Sequence, residues 1–284
     1  MWLLTFILSG CLALPDISNP RHPNQETTDQ VFKATFGIQS KIVGGRETTI
    51  SQHPWQAALN VNGNFICGAI ILASNFVLTA AHCIGADISA YSVHVGSSMI
   101  TGTGGSTHNV IDGILHEDFY NGIMPDGIAY PNDIAVLKLI NPISFNSNKQ
   151  PINLTNVTNS VLAGYREEDC AITGWGRIVG GGALPDMLQV TNVKILTDDD
   201  CRRIPFIKDY LNGTIHICVD GEDESGGCNG DSGGPLACKV GDGYELAGVT
   251  SFLMGSCLTS YPTVYAETHH FRSWIKEAMI NLSL

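Results

Sequence analysis

The stretch ESGGCNGDSGGP, residues 224–235, contains a candidate nucleophilic serine, and its sequence distinguishes between two folds that could hold such a serine. Ser232 lies between Asp231 and Gly233, and the local sequence fits the pattern G-x-S-x-G. One group of folds places such a serine on a sharp turn that runs from a strand directly into a helix. Here Gly233, Gly234 and Pro235 follow the serine, and this run is a poor first turn for a helix. The stretch therefore favours a serine held in a loop of a β protein.

The rest of the chain has the texture of an antiparallel β protein. It contains 31 glycines in 284 residues, and short β-branched and aromatic runs alternate with Gly, Pro and Asn turns. Examples of these runs are PWQAALNV, FICGAIIL, NFVLTAA, DIAVLKLI, CAITGWG and YELAGVTSFL. The C-terminal segment FRSWIKEAMI has a helical period, which places Phe271, Trp274, Ile275 and Ala278 on one face. Many short strands without helices between them predict an all-β sandwich or barrel.

The N-terminal part of the chain differs from the rest. Residues 2–14 are apolar, too short to span a bilayer, and end in small residues before Pro15, which predicts a secretory signal peptide over residues 1–13. The sequence LSGC also resembles a lipoprotein cleavage site at Cys11, although both kinds of signal usually begin with basic residues that are missing here. Residues 14–41 are polar and rich in Pro, Asn and Thr, which indicates an activation pro-segment. We expect a secreted, extracellular protein without a membrane span.

The cysteine content fits a secreted, disulfide-bonded chain. Of nine cysteines, eight remain once Cys11 is removed with the signal, and an even number implies disulfides throughout. Sequence alone leaves their pairing open. Zinc is the competing use, but no C-x-x-C or His/Cys cluster has the required spacing. The N-x-S/T sequons, which are candidate sites for a glycoprotein in this compartment, begin at Asn153, Asn156, Asn212 and Asn281.

Three short segments carry the residues of a nucleophilic triad. LTAAHC carries His82, PNDIAVLKL carries Asp133 and CNGDSGGP carries Ser232. Taken singly, a histidine, an aspartate before a strand and a serine among glycines usually have structural roles. A strand-to-helix hydrolase would need its histidine after the serine, and only His269 and His270 follow, in or near the terminal helix.

Together with IVGG, GWG and the SF before the last cysteine, these segments resemble the motifs of the trypsin/chymotrypsin-like serine proteases and follow one another in that family's order. The resemblance extends from residue 42 to about residue 284. The resemblance implies two packed six-stranded antiparallel β-barrels with a C-terminal α-helix, roughly residues 42–152 and 153–284, and a site in the cleft between them. It implies a serine endopeptidase in which Ser232 attacks the scissile carbonyl, His82 moves the proton and Asp133 holds His82. The amides of Gly230 and Ser232 would form the oxyanion hole.

The same resemblance pairs the cysteines and places the activation cut. The implied disulfides are Cys67–Cys83, Cys170–Cys238, Cys201–Cys218 and Cys228–Cys257. The resemblance also implies a zymogen that an activating trypsin-like protease cleaves after Lys41. The freed Ile42 amine would then pair with Asp231 beside the nucleophile and order the loop around it.

The family pattern also assigns a specificity pocket, whose positions are Gly226, Ser251, Phe252, Leu253 and Thr263. Trypsin-like members carry Asp where this chain has Gly226, and wide pockets carry Gly where it has Leu253 and Thr263. An uncharged floor under two projecting side chains predicts an elastase-like preference for a small or aliphatic uncharged residue before the cut. A chymotrypsin-like preference for aromatic residues, reached by rearrangement of Leu253, is the alternative.

The resemblance implies no cofactor, and we expect no metal site. The segment at the position of the family's calcium loop, GSSMITGTGGSTHNV, contains no carboxylate. The formal net charge of −12 gives no reason to expect a nucleic-acid or membrane partner. The expected partners of this monomer are protein or peptide substrates, the activating protease and protein protease inhibitors. A protease-like binding protein or allergen with little activity is the alternative function, although inactive relatives usually lack one of the three catalytic residues.

Overall fold

The computed structural model describes residues 45–177, 182–205, 207–220, 227–253 and 262–284. These residues belong to one unit, Ser40–Leu284. Several expectations fall on positions outside the described residues and stay predictions: the signal peptide over 1–13, the pro-segment over 14–41, the bond between Lys41 and Ile42, Gly226 and Cys257.

Fourteen strands and three α-helices make up the regular structure of the described residues. The strands are β1 (Arg46–Glu47), β2 (Gln56–Val61), β3 (Asn64–Ala73), β4 (Phe76–Thr79), β5 (Tyr91–Val95), β6 (Ser106–Leu115), β7 (Ala135–Leu139), β8 (Asn153–Leu154), β9 (Cys170–Gly174), β10 (Gln189–Asn192), β11 (His216–Val219), β12 (Pro235–Val240), β13 (Gly243–Leu253) and β14 (Thr263–Glu267). The helices are α1 (Asn159–Leu162), α2 (Asp198–Arg203) and α3 (Thr268–Ser283). Each of the six runs interpreted as strands overlaps an observed strand, which confirms the mostly β fold. In the described part of the chain, no helix combines the length and the apolar character that crossing a membrane would need.

The first half of the chain forms a closed antiparallel barrel of six strands, in the order β2-β3-β4-β7-β6-β5. The alternation of side chains decides which face lies inside. In β5, Tyr91, Val93 and Val95 are buried, while Ser92 and His94 between them are half-buried. Because each strand has a partner on both sides, this barrel has no free edge.

The second half forms an eight-stranded sheet, in the order β1-β10-β9-β12-β13-β14-β11 with β8 beside β13. Strands β9–β14 correspond to the six strands expected for the second barrel. An isolated bridge between Ile195 and Val219 joins β11, at one end of this sheet, to the segment that follows β10 near the other end. The two additional strands, β1 and β8, have two residues each and are too short to show an alternating pattern in the sequence.

Both ends of the described chain reach across to the other half. β1 pairs with β10 of the second sheet, whereas α3 contributes Phe271, Ile275 and Ala278 to the core of the first barrel. These three side chains are buried, as the helical period predicts, and Trp274 is half-buried at the edge of the face. Lys138 of β7 donates a hydrogen bond to a carbonyl in the last turn of α3. The apolar core is continuous between the two halves.

Three disulfides join pairs that the family resemblance implies, Cys67–Cys83, Cys170–Cys238 and Cys201–Cys218. Cys228 is also disulfide-bonded, and its expected partner Cys257 lies outside the described residues. In the first of these disulfides, Cys83 directly follows His82, so the bond to Cys67 anchors the turn that carries this histidine.

Candidate active site

Two of the three residues singled out from the motifs, His82 and Ser232, line one cavity of about 210 Å³, and the third, Asp133, is hydrogen-bonded to His82. Its lining residues are His82, Tyr130, Cys228, Asn229, Ser232, Thr250, Ser251, Phe252 and Leu253. The first two come from the first half of the chain and the others from the second half. The cavity therefore lies where the two halves meet.

The pairing of β4 with β7 brings His82 and Asp133 together. Thr79 at the end of β4 is paired with Ala135 at the start of β7. His82 follows this pair in a 3-10 turn, Ala81–Cys83, and Asp133 precedes it. His82 Nδ1 lies 2.7 Å from Asp133 Oδ2, and the His82 backbone amide donates to Asp133 Oδ1 at 2.9 Å.

The surroundings of Asp133 fix the tautomer of His82. The Asp133 side chain is fully buried, whereas that of His82 is 21% exposed. Asp133 Oδ2 also accepts a hydrogen bond from Ser251 Oγ at 2.5 Å. Because a carboxylate can only accept, His82 Nδ1 is the donor in this pair. His82 Nε2 is then left unprotonated in the neutral ring and can act as a base.

Close packing against β3 and β4 shapes the loop that carries Ser232. The Ser232 carbonyl accepts from the amide of Gly68 at 2.8 Å, and Gly233 donates to the carbonyl of Thr250 at 2.8 Å. Gly233 has φ +76°, and a Cβ at this position would lie 2.2 Å from Thr79 Oγ1. A larger residue could not occupy this position, which explains the glycine after the serine.

Ser232 has the position of a nucleophile but is not hydrogen-bonded to the base. Within the described part of the chain, no hydrogen bond joins Ser232 Oγ to His82 Nε2. In ligand-free sites such bonds are often long, and they tighten when substrate binds. The amides of Gly230 and Ser232 also donate to no other described residue. Within the described part of the chain, no acceptor therefore competes with a ligand for these two amides.

Asp231 is a buried carboxylate held by two backbone amides. Gly176 donates to its Oδ1 at 2.8 Å and Cys228 to its Oδ2 at 2.9 Å. Burial raises the pKa of Asp231 to about 6, and these two hydrogen bonds only partly oppose the rise. Among the described residues, no basic side chain forms an ion pair with this carboxylate. Its expected partner, the Ile42 amine, lies outside the described residues.

Two of the predicted pocket residues lie opposite each other on neighbouring strands. Leu253 of β13 is the cross-strand partner of Thr263 of β14, so both side chains project from the same face. Leu253 lines the cavity, whereas Thr263 is buried and does not line it. A Cβ on Gly227 would lie 3.2 Å from Thr263 Cγ2 and 3.7 Å from Tyr265 Oη. Thr263 and Tyr265 are therefore the described side chains next to Gly227, and both are uncharged.

Two contributors to the site were missed by sequence reasoning. Tyr130 lines the cavity beside His82, with ring centroids 5.9 Å apart, and its only sequence signal is an aromatic residue three positions before Asp133. Gly176, in the quoted motif GWG, has no room for a side chain, because a Cβ there would lie 2.3 Å from Asp231 Cγ. The two glycines of this motif indicate that another part of the chain approaches its backbone closely. They do not indicate that the approaching residue is Asp231, which is 55 positions away.

Comparisons with known proteins agree with this fold and geometry. The sequence profile of the family described as Trypsin matches residues 42–275. The chain is 35% identical over 245 residues to a fibrinolytic enzyme, isozyme C, of Lumbricus rubellus, covering 82% of this chain and 98% of that protein. It is 34% identical over 242 residues to trypsin delta of Drosophila melanogaster, covering 84% and 88%.

A solved structure with a similar fold is neuropsin, a serine protease expressed in the limbic system of mouse brain. The TM-score is 0.71 at 30% sequence identity, and the match covers 83% of this chain and 98% of that one. Family, relatives and fold agree with the motif order. The chain belongs to the trypsin family of serine endopeptidases.

Proposed function

We propose that this protein is a secreted serine endopeptidase, made as a zymogen cleaved after Lys41, that cuts after small or aliphatic uncharged residues. The observation that supports it most directly is the cavity that Ser232 and His82 line together with Leu253. The nucleophile, the base and a wall of the specificity pocket thereby border the space that a scissile bond would occupy.

The reaction uses the proton-transfer order of a Ser-His-Asp triad. Ser232 Oγ attacks the scissile carbonyl carbon as His82 Nε2 takes its proton, and His82 then gives this proton to the leaving amine. Water enters in place of the amine and repeats the sequence on the acyl-enzyme, which restores Ser232. Asp133 holds the Nδ1–H tautomer and stabilises the imidazolium that forms.

The amides of Gly230 and Ser232 would receive the oxyanion of the tetrahedral intermediate. Gly230 has φ +106°, a conformation that favours glycine. Because neither amide is used by another described residue, both are available when the charge develops. The loss of one such donor typically lowers kcat by about 10²–10³-fold.

The proposed specificity follows from the size and charge of the pocket walls. Leu253 and Thr263 project from paired positions, where a wide pocket would need no side chains. Thr263 and Tyr265 bring only uncharged groups to the space beside Gly227. A small aliphatic residue fits such a slot, whereas a Lys or Arg side chain would find no carboxylate among these residues.

Activation is proposed to act through Asp231. A buried carboxylate with raised pKa gains from a nearby cation, and its two present donors are neutral amides. Cleavage after Lys41 would free the Ile42 ammonium for this role. The new ion pair would then order the Gly230–Ser232 loop. Lys41 at the cut implies an activator with trypsin-like specificity.

Secretion and partners complete the proposal. The disulfides and the N-terminal apolar segment suit an extracellular monomer. Its partners would be protein or peptide substrates, the activating protease and protein inhibitors that occupy the same cavity.

A serine-directed fluorophosphonate probe tests the catalytic part of the proposal. The wild-type precursor, Lys41→Gln and Ser232→Ala would each be treated with trypsin and then with the probe. We expect a label on Ser232 only in the treated wild type, together with a new N-terminus at Ile42. Absence of label there would favour a binding protein, and full labelling of Lys41→Gln with residue 41 still attached would overturn the activation route.

A peptide library varied at the residue before the cut tests the specificity. We expect cleavage after Ala, Val or Leu to be at least about tenfold faster than after Arg or Phe, since pocket shape discriminates by about 1–3 kcal/mol per methylene. The double variant Leu253→Gly/Thr263→Gly should shift the preference toward Phe and Tyr, and the exposed-site control Ile111→Ala should not. A wild-type preference for Arg, or for Phe and Tyr, would contradict the proposal.

A further inference from the structure

A buried histidine near the cavity has no part in the proposed reaction. His216 is the first residue of β11 and is 3% exposed. Its imidazole meets the ring of Phe252 edge-on, with centroids 5.6 Å apart and planes at 80°. Phe252 lines the cavity and His216 does not, so the histidine lies behind the cavity wall.

The hydrogen bonds of His216 leave one ring nitrogen without a partner. Nδ1 accepts from the backbone amide of Asn212 at 3.3 Å, so the proton of the neutral ring is on Nε2. Nε2 is buried and has no hydrogen-bond partner among the described residues. Burial lowers the pKa of His216 to about 4, although the Tyr130 carbonyl and Asp133 act to raise it. A neutral Nε2–H donor therefore lies near the Tyr130 carbonyl, in an arrangement short of a well-formed hydrogen bond.

Aromatic contacts connect His216 to the catalytic base. Phe252 is stacked on Tyr130, with centroids 5.8 Å apart and planes at 29°. Tyr130 in turn meets His82 at 5.9 Å and 66°. These separations and angles are typical of favourable aromatic pairs. Displacement of Tyr130 would therefore change the packing around both Phe252 and His82.

Tyr130 is held in a conformation that needs support from its surroundings. Its φ is +42°, which is uncommon for a bulky residue and strained. Hydrogen bonds fix the preceding backbone, from Tyr130 N to Gly122 O at 2.7 Å and from Ala129 N to Tyr210 O at 3.0 Å. Asn132, directly before Asp133, also has positive φ, at +57°. The carbonyl of Tyr130 is the group of this segment that His216 can hold.

We propose that His216 is a positioning residue for the wall formed by Tyr130 and Phe252. Its Nε2–H would bond the Tyr130 carbonyl when an extended substrate lies against this wall, and so keep the Tyr130 ring against His82. This role rests on the proposed endopeptidase function and extends it to substrate residues beyond the one before the cut. A substrate too short to reach the wall should not depend on His216.

Two substrates of different length test the role of His216. One is a one-residue p-nitroanilide and the other a four-residue p-nitroanilide with the same residue before the cut. For His216→Leu we expect about a tenfold loss of kcat/KM on the long substrate and less than about a twofold loss on the short one. His216→Gln, which restores a side-chain N–H, should recover the long substrate to within about threefold.

Control variants separate positioning from a general effect on the fold. His53 is another buried histidine whose pKa burial lowers to about 4, and His53→Leu should affect both substrates equally. In the Tyr130→Ala background, His216→Leu should add little further loss, since the ring that His216 would position is then absent. Equal losses on both substrates, or full additivity with Tyr130→Ala, would overturn the proposal.

The failure of this inference can be told from failure of the proposed function. Absence of fluorophosphonate labelling in the trypsin-treated wild type would remove the endopeptidase itself. Normal labelling in every variant without a substrate-length effect would remove only the role of His216. If His216→Leu gives no folded protein, His216→Met, which also lacks a side-chain N–H, provides the same comparison, and wild-type rates of His216→Met on both substrates would overturn the proposal.

Discussion

The two halves of the molecule hold their parts of the site in different ways. The first is a closed barrel, and it carries His82 and Asp133 beside the paired strands β4 and β7. The second is a sheet in which one isolated bridge links β11 to the segment after β10, and it supplies Ser232 and the cavity-lining residues Phe252 and Leu253 from a glycine-rich loop and a strand end. An acid–base pair needs constant geometry, whereas a nucleophile loop that becomes ordered on activation, as proposed above, must be able to move.

The second half also contains the buried carboxyl groups that lack cationic partners among the described residues. Burial raises the pKa of Asp231 to about 6 and that of Glu267 to about 7. By contrast, the buried Asp133 of the first half accepts hydrogen bonds from the amide and ring of His82 and from Ser251. We therefore expect substitutions in the first half to act on the chemistry, and substitutions in the second to act on loop order and on the pH dependence of stability.

The largest expected effect is that of Asp133→Asn. An amide at this position can donate to His82 Nδ1, which would then hold the tautomer with the proton on Nε2. The base would be lost while the fold is kept, and we expect kcat of the trypsin-activated enzyme to fall by about 10⁴-fold. Steady-state kinetics at neutral pH with thermal unfolding as a check would measure this.

Asp112→Asn is the matched control for this prediction, since Asp112 is an exposed aspartate on β6 of the same barrel. Its kcat should stay within about twofold of wild type, because surface substitutions rarely matter. If Asp133→Asn kept more than a tenth of the wild-type kcat, the assigned role of Asp133 would be wrong.

We expect Gly176→Ala to displace the loop that carries the nucleophile Ser232. A Cβ at this position would lie 2.3 Å from Asp231 Cγ, so the carboxyl must move and the amides of Gly230 and Ser232 move with it. We expect kcat/KM to fall by about 10²-fold, the size of losing one oxyanion donor. Gly243→Ala, where no atom lies within 4 Å of the added Cβ, should leave kcat/KM unchanged.

The fold class could be predicted because its signals are local and repeated. Six short apolar runs predicted strands, and the contiguous motifs around His82, Asp133 and Ser232 predicted which residues share a site. Among the strands that no quoted run covers, β1 and β8 have only two residues each, which give no period. Helix α2 was not predicted because its six residues, DDDCRR, have no apolar face.

The remaining parts of the site depend on contacts that a sequence does not display. Tyr130 reaches the cavity because its backbone adopts positive φ in a loop without a hydrophobic period. Ser251 was expected in the pocket, but its hydrogen bond to Asp133 joins residues 118 positions apart. Gly68 packs against Gly234 so closely that a Cβ on Gly68 would lie 2.8 Å from Gly234 Cα. This close approach arises only when the two halves pack together.

Two disulfides of almost equal span test whether the halves differ as described. Cys67–Cys83 and Cys201–Cys218 have sequence separations of 16 and 17, so each should contribute about 3 kcal/mol to the free energy of unfolding. Only the first adjoins His82. We expect the Cys67→Ala/Cys83→Ala variant to lose about tenfold in kcat on a one-residue substrate.

The Cys201→Ala/Cys218→Ala variant serves as the control, with kcat expected within about twofold of wild type. Denaturant unfolding of both double variants would check that their stability losses agree, as the equal loop lengths require. An equal loss of kcat in the two variants would show that the first bridge has no special effect on the base.

The smallest effect, and the one confined to the second half, concerns Glu267. Burial raises its pKa to about 7 from an ordinary value of 4.5, the amide of Asn159 partly opposes this, and Asp198 adds to it. A group whose pKa is raised by folding stabilises the fold fully below its unfolded pKa and loses that contribution as pH rises through its folded pKa. The wild type should therefore lose stability from this group between pH 4.5 and about pH 7.

Glu267→Gln keeps an oxygen that can accept from Asn159 N but cannot ionise. We expect its thermal midpoint to rise relative to wild type by about 3 °C, or about 1 kcal/mol, between acid and slightly alkaline pH. His53 and His216, whose pKa values burial lowers to about 4, destabilise the fold as pH falls below 6.5, but they do so in both proteins and cancel in the difference. Glu277→Gln, at an exposed position of α3, should show a flat difference across the same range. A flat or falling difference for Glu267→Gln would mean that this carboxyl is solvated, and the contrast in buried charge between the two halves would then rest on Asp231 alone.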